Sequence, residues 1–334
     1  MFAFPVYAWD FVVLSDTHLL YTATDGPYGL RAANVTMPRA FIADIRTLAP
    51  DMVFITGDTV DGDCVYMDYG DQLDDFLTEI SGFYTDGIDV YAVRGNHNYL
   101  PDTSGSVWQT KWSGTYVLPT NGPTGEDKLT YSVSNSDAIF LCVDNFANGY
   151  ETVNQNWVNS TIQANPNKLV FVFGHEPMFE TFDHPYSTLA SYPQRRNVFW
   201  EIMQMRKGSI YFCGHLHELC LLQVGNSYQC MTGSAYYSLL GTHGYTGTLN
   251  DPYTTSIKQE YYEDIVDRHG SFGYTHVNVV DDTTHYDITI TYHHYSYAGG
   301  TWSTETPYSY AVNKSDLTPA KEISSGYSGT ASWH

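Results

Sequence analysis

Short apolar runs alternate with amphipathic stretches along the first two-thirds of this chain, which confines it to an α/β architecture. Residues 11–14, 52–55, 90–93, 129–133, 138–143, 169–173 and 209–213 are apolar runs of strand length. Between them, Phe41, Ile42, Ile45 and Leu48 recur at helical spacing before Pro50, and Leu73, Phe76, Leu77 and Ile80 mark a second helix ended by Gly82. Further helices are expected at 154–163 and 196–205. After His217 the texture turns to strands, at 219–224, 228–232, 273–280 and 286–292, with clear alternation in Tyr286, Ile288, Ile290 and Tyr292. This reads as one domain over 8–295 with a loop-rich insertion at 241–268, followed by an irregular tail at 296–334.

Five of the strands are followed at once by polar residues that can bind metal. Leu14 leads into Ser15-Asp16-Thr17-His18, and Ile55 into Thr56-Gly57-Asp58. Val93 leads into Arg94-Gly95-Asn96-His97-Asn98, Phe173 into Gly174-His175-Glu176-Pro177, and Cys213 into Gly214-His215-Leu216-His217. In open α/β sheets, ligands gather beyond the carboxyl ends of the strands. Alternate residues of an extended segment point to one side, so Asp-x-His and His-x-His each offer two ligands to one metal or to two neighbouring ones. Glycine before Asp58, Asn96, His175 and His215 lets backbone approach closely. A single such histidine is usually an ordinary hydrogen-bonded residue; five blocks in this order are not.

The ordered set, from Asp16 to His217, closely resembles the calcineurin-like metallophosphoesterase family over about 60% of the chain. The resemblance implies a four-layer αββα sandwich, with two mixed sheets flanked by helices and a two-metal centre at the sheet edge. It implies that Asp16, His18, Asp58 and His217 bind one ion, and that Asp58, Asn96, His175 and His215 bind the second, with Asp58 bridging. Carboxylate oxygen and neutral imidazole suit Mn, Fe, Zn or Co, as divalent or trivalent ions. Two such ions about 3.5–4 Å apart activate a bridging hydroxide and clamp a phosphoryl oxygen. The resemblance also makes His97 the general acid for the leaving group, with Asn96 and His97 facing the substrate. The usual next residue is an Asp or Glu that orients this histidine. Here it is Asn98, which can accept a hydrogen bond from the imidazole but cannot raise its pKa by charge. Asp16-x-His18 resembles the phosphodiesterase-like branch. Purple acid phosphatases carry glycine where His18 stands and tyrosine where this chain has Asp61.

Composition narrows the partners. With 15 Lys+Arg against 37 Asp+Glu the formal charge is −22, which excludes polyanions such as nucleic acid and a polybasic membrane anchor. No apolar run approaches the ~20 residues of a spanning helix. A small phosphorylated substrate stays compatible, because screening beyond about 8 Å in physiological salt blunts the repulsion and the metals attract locally. Sequons at Asn34, Asn159 and Asn313, with few lysines, incline the chain toward an extracytoplasmic location. The apolar start lacks a basic flank, and reads as the remnant of a leader or as the lead into the first strand. Cys220 and Cys230 flank a turn at Gly225-Asn226, so they are either a cross-strand disulfide or two free thiols.

Several other residues carry weaker signals. The acidic cluster at Asp61, Asp63, Asp68, Asp71, Asp74 and Asp75 lacks EF-hand spacing and reads as a solvated helix start. Tyr236 and Tyr237 are either an aromatic wall beside the site or core packing, and His184 is placed near the pocket. Arg195 and Arg196 are candidates for a substrate phosphate or for surface ion pairs. Two functions compete. The first is a metal-dependent phosphoric ester hydrolase, acting on mono- or diesters. The second is a non-catalytic interaction scaffold of the same fold, like the retromer subunit that resembles these enzymes. That reading predicts eroded ligands, whereas all seven ligand positions are intact here.

Overall fold

Two sheets pack face to face, and the residues between them are overwhelmingly aromatic. The computed structural model describes residues 7–21, 34–62, 67–180, 188–236, 260–261, 272–296 and 299–317. The elements run β1 (Tyr7–Leu14), α1 (Thr36–Leu48), β2 (Met52–Ile55), α2 (Tyr69–Thr85), β3 (Asp89–Ala92), α3 (Asn96–Tyr99), α4 (Ser106–Lys111), β4 (Tyr131–Ser134) and β5 (Ala138–Cys142). They continue with α5 (Gln155–Ala164), β6 (Leu169–Phe173), α6 (Pro193–Met203), β7 (Ile210–Cys213), β8 (Leu219–Val224), β9 (Ser227–Thr232), β10 (Glu260–Tyr261), β11 (Gly273–Asp281), β12 (His285–Ser296) and β13 (Thr301–Asn313). One sheet has the order β13-β12-β11-β1-β2-β3, the other β10-β8-β9-β7-β6-β5-β4. The first packs its helices α1 and α2 on one side, and the second covers its outer face with α5 and α6. This is the expected four-layer sandwich.

The strand period sorts side chains between the layers. Phe140 and Cys142 of β5 join the core between the sheets, while Ile139 and Leu141 face α5 and α6. Phe11 sits at the centre of the inter-sheet core, with ring centroids 5.2–6.1 Å from Trp9, Phe54, Phe140, Phe171, Phe173 and Phe212. Phe54 and Phe173 stack across the sheets at 3.9 Å. We expect Phe11→Ala to lower unfolding free energy by about 3–5 kcal/mol, measured by denaturant titration.

Parallel pairing places the site. β1 pairs with β2 and β2 with β3 in parallel, as do β5, β6 and β7. All these strands therefore end at the same edge. The pairing runs on into the loops: Asp16 N donates to Gly57 O at 3.1 Å, His18 N to Asp58 O at 2.9 Å, and Gly214 N to His175 O at 2.9 Å.

Two expectations are corrected, and an alternative left open at Cys220 and Cys230 is decided. Helix α2 passes through Gly82 to Thr85 without a break. The chain turns instead at Gly87, with φ +79°. Residues 301–313 are not an irregular tail but the edge strand β13, with Tyr308, Tyr310 and Val312 opposite Ile290, Ile288 and Tyr286. Tyr308, Tyr310 and Val312 share one face and Ser309, Ala311 and Asn313 the other, so the run has little aliphatic character. Cys220 pairs in register with Met231, and Cys230 with Leu221. The one-residue offset sends the two thiols to opposite faces of the sheet, so both are free and buried. Residues 318–334, and 241–268 apart from Glu260 and Tyr261, lie outside the described residues, as do Asp63, His184 and Tyr237. Among the described residues no helix is long and apolar enough to cross a membrane.

Candidate metal centre

All seven sequence-predicted ligands meet at the shared edge of the two sheets. Asp16, His18, Asp58, His215 and His217 adopt left-handed backbone, with φ between 39° and 68°. Such backbone costs roughly 1–2 kcal/mol per non-glycine residue, and persists where surrounding contacts over-determine it. It turns each side chain back over its own strand end. Gly95 and Gly214 permit the close approach: a Cβ on the first would strike the Asp58 carboxylate, and one on the second would strike Ser15 and the Asp16 carboxylate.

Three groups have donor atoms within 4.8 Å of one another, and two of them match the expected ligand sets: Asp16, His18 and His217, and Asp58, His175 and His215. His217 Nε2 lies 3.2 Å from Asp16 Oδ1. Asp58 Oδ2 stands between the groups, 3.6 Å from His18 Nε2 and 3.3 Å from His175 Nε2. Asn96 Oδ1 is 3.0 Å from both His175 Nε2 and His215 Nδ1. Its carbonyl oxygen therefore lies beside the second group.

The electrostatics favour a cation. Burial pushes the Asp58 carboxyl up, but His175, His97 and His18 together hold it well below the usual carboxylate range. Burial, reinforced by His97, keeps His18 far below its ordinary pKa and so neutral. For His175 burial works against protonation, yet Asp58 and Asp16 raise it to about 10. The carboxylates thus attract positive charge to the point where ligand nitrogens converge. His18 is 3% exposed, and neither of its ring nitrogens has a hydrogen-bond partner; nor has Nδ1 of His217. Buried polar nitrogens left in this state cost free energy. The donor set of carboxylates, imidazoles and one amide oxygen fits transition-metal ions.

Supporting contacts orient the ligands. His175 Nδ1 lies 2.8 Å from Thr56 O, which leaves Nε2 turned inward. Asn145 Oδ1 accepts from His175 N at 2.7 Å and Glu176 N at 2.8 Å. Both Asp16 carboxylate oxygens accept from His215 N, at 3.2 and 3.0 Å. His97 N donates to Asp58 Oδ1 at 2.9 Å, and the His97 ring stands edge-on to His18 at 4.6 Å.

Asn98 is elsewhere than expected. Its Oδ1 accepts from Gly95 N at 3.1 Å and Thr59 N at 3.3 Å, and its Nδ2 donates to Thr59 Oγ1 at 2.9 Å. It ties the β2 and β3 loops together and does not orient His97. That part falls to the backbone carbonyl of Asp61, 2.6 Å from His97 Nδ1. The buried Asp61 also forms a third ligand group with His18 and His97, which sequence reading missed. Asn145 was missed as well, though Asp144-Asn145 follows strand β5 by the same rule as the other strand ends. Tyr236 lies against the site, 4.4 Å from His18 and 6.0 Å from His217 between ring centroids. Arg195 contacts the Tyr150 carbonyl and the Tyr192 ring, and Arg196 lies over Phe179. In the acidic cluster Asp68 caps α2 through Gly70 N and Asp74 pairs with Lys111, consistent with a helix start.

Residues 10–219 match the calcineurin-like phosphoesterase family, and the chain belongs to it. Most members of this family are metal-dependent phosphoesterases. Among solved structures, a dimetal phosphatase from Danio rerio superposes with a TM-score of 0.57 at 11% identity, covering 93% of this chain and 99% of that one. GAP50, the anchor in the inner membrane complex of Plasmodium, superposes with a TM-score of 0.55 at 14% identity, covering 95% and 90%. At these identities the likeness is one of fold. No curated protein matches the chain.

Proposed function

We propose that this protein is a dinuclear-metal-dependent phosphoric ester hydrolase. The observation that carries the proposal is the convergence of all seven ligand positions, intact and buried or half-buried, on one point bracketed by Asp58. Asp16, His18, Asp58 and His217 would hold one ion, and Asp58, Asn96, His175 and His215 the other. When bound, such a pair supplies an activated water and charge stabilisation for in-line attack on phosphorus. The chain's own residues do the rest. Asp58 fixes the spacing of the two ligand groups and, through His97 N, the turn that carries His97. His97, oriented by the Asp61 carbonyl, presents Nε2 as proton donor to the departing oxygen. Tyr236 walls one side of the site.

One protein of similar fold bears on the alternative: GAP50 is the anchor in the inner membrane complex of Plasmodium. A scaffold has no need to retain strained left-handed backbone at five ligands, and this retention favours the enzyme. The test is hydrolysis of p-nitrophenyl mono- and diesters by chain stripped with chelator and reloaded with Mn, Zn, Fe or Co. Metal-restored turnover is expected, and absence of turnover with every metal refutes the proposal.

The position of Asn98 yields a separate expectation. Asn98→Ala leaves Gly95 N and Thr59 N without an acceptor, at about 1–3 kcal/mol of stability. The ratio of rates on esters with good and poor leaving groups stays as in the wild type. A changed ratio with unchanged stability would place Asn98 on the reaction path.

A further inference from the structure

The Asp16, His18 and His217 group draws on both sheets. Asp16 and His18 follow β1 of one sheet, and His217 follows β7 of the other. The spacing of these three ligands therefore depends on how the loops of the two sheets are joined at the shared edge.

Two polar side chains make that join, and neither belongs to the ligand sets above. Ser234 is buried in the loop after β9, the strand paired with β7. Its Oγ donates to Asp16 O at 3.0 Å, and Ala235 N donates to the same oxygen at 3.2 Å. Asn34, from the chain between β1 and α1, completes the junction. Its Nδ2 donates to Thr17 O at 2.7 Å and to Ala235 O at 3.2 Å, and lies 3.4 Å from His18 O. The Asn34 backbone is pinned just beyond the ligands, exchanging hydrogen bonds with Leu20 at 2.8 and 3.2 Å. One amide group thus spans the peptide that leads into His18 and the loop that carries Tyr236, whose ring lies 4.4 Å from that of His18. Asn34 opens a sequon, and a glycan attached there would take the same nitrogen.

The backbone at this point needs holding. Asp16 and His18 are left-handed, with φ 48° and 39°, and Thr17 between them is fully buried. A buried carbonyl that loses its donor is costly. Without Asn34 the Thr17–His18 peptide gains by turning toward another donor, and such a turn swings the His18 ring.

We infer that Asn34 and Ser234 are positioning residues that clamp the Asp16–His18 turn to the Tyr236 loop, and so set the affinity of the Asp16, His18 and His217 group for its ion. The inference rests on the two-ion part of the function proposed above. Contacts that orient metal ligands are worth roughly 10–100-fold in metal affinity. The other group is held by different contacts: Asn98 ties the turns of Asp58 and Asn96, and Thr56 and Asn145 hold His175. The effect is therefore confined to one ion.

The test titrates chelator-stripped full-length chain with Co(II), read by visible d–d absorption and by calorimetry. Wild type is expected to bind two ions. Asn34→Ala should weaken one step about tenfold or more and leave the other within about twofold. His217→Ala, which removes a ligand of the clamped group, identifies that step. Ser234→Ala should weaken the same step, and decides the matter if Asn34→Ala does not fold. A merely structural role would lower the thermal midpoint of the stripped chain without selecting one ion. Equal weakening of both steps, no weakening, or weakening of the step that His217→Ala spares would overturn the inference and leave the phosphoesterase reading intact. Two wild-type steps without hydrolysis of any p-nitrophenyl ester would sink that reading, and the titration would still judge the clamp. A wild type that binds fewer than two ions would overturn both.

Discussion

Asp58→Asn is expected to abolish nearly all turnover, by a factor on the order of 10³ or more, without unfolding the chain. The side chain keeps its shape, and an amide Oδ1 still accepts from His97 N, where Asp58 Oδ1 now lies at 2.9 Å. What disappears is the negative charge standing between the two ligand groups, 3.6 Å from His18 Nε2 and 3.3 Å from His175 Nε2. Without it the pull that raises His175 is diminished, and the affinity for cations at that point falls with it. Metal content should drop together with rate, while the thermal midpoint of the stripped chain stays near that of the stripped wild type. Wild-type rates in this variant would refute the site.

His97→Ala should act on a different term. Its ring touches the site through His18 and lies outside both ligand sets that the resemblance implies, although with His18 and Asp61 it makes up the further group. Metal content in those two sets should persist. A general acid typically contributes 10²–10⁴-fold, and its contribution scales with how badly the leaving group needs a proton. The loss should approach that range on alkyl esters and shrink on p-nitrophenyl esters, whose leaving group departs unprotonated. Equal losses on both would show that His97 does not donate the proton. His97→Asn, which keeps polarity without a comparable acid, should behave like the alanine.

The parts of this protein legible in its sequence are those where one residue type does one job. Short apolar runs such as 52–55 and 169–173 match strands β2 and β6 to the residue, because a strand buried on both faces has no polar position to blur its ends. The candidate ligands were legible because Asp, His and Asn at strand ends are among the few residue types that suit a metal there. Strand β13 was not legible, since Thr, Ser and Tyr satisfy an edge strand and a surface loop equally well. Nor was the role of the Asp61 carbonyl, because a backbone acceptor leaves no residue-type signature. Gly82 misled for a related reason: a glycine can lie inside a helix as well as end one, and residue type alone does not tell the two apart.

The negative charge of −22 now has a local counterpart. Asp16 and Asp58, both buried, lie in groups that could hold a metal ion rather than on the surface. On the proposed function, attraction of an anionic ester would come from the centre itself, at short range.

The most direct test of the central claim is a count of metal ions. Chain stripped with chelator, loaded with Mn or Zn and desalted should carry two ions, as measured by inductively coupled plasma mass spectrometry. His217→Ala and His175→Ala, which remove one ligand from each group, should each lose one. A wild-type chain that leaves the column without metal, or variants that bind as much as wild type, would contradict the account.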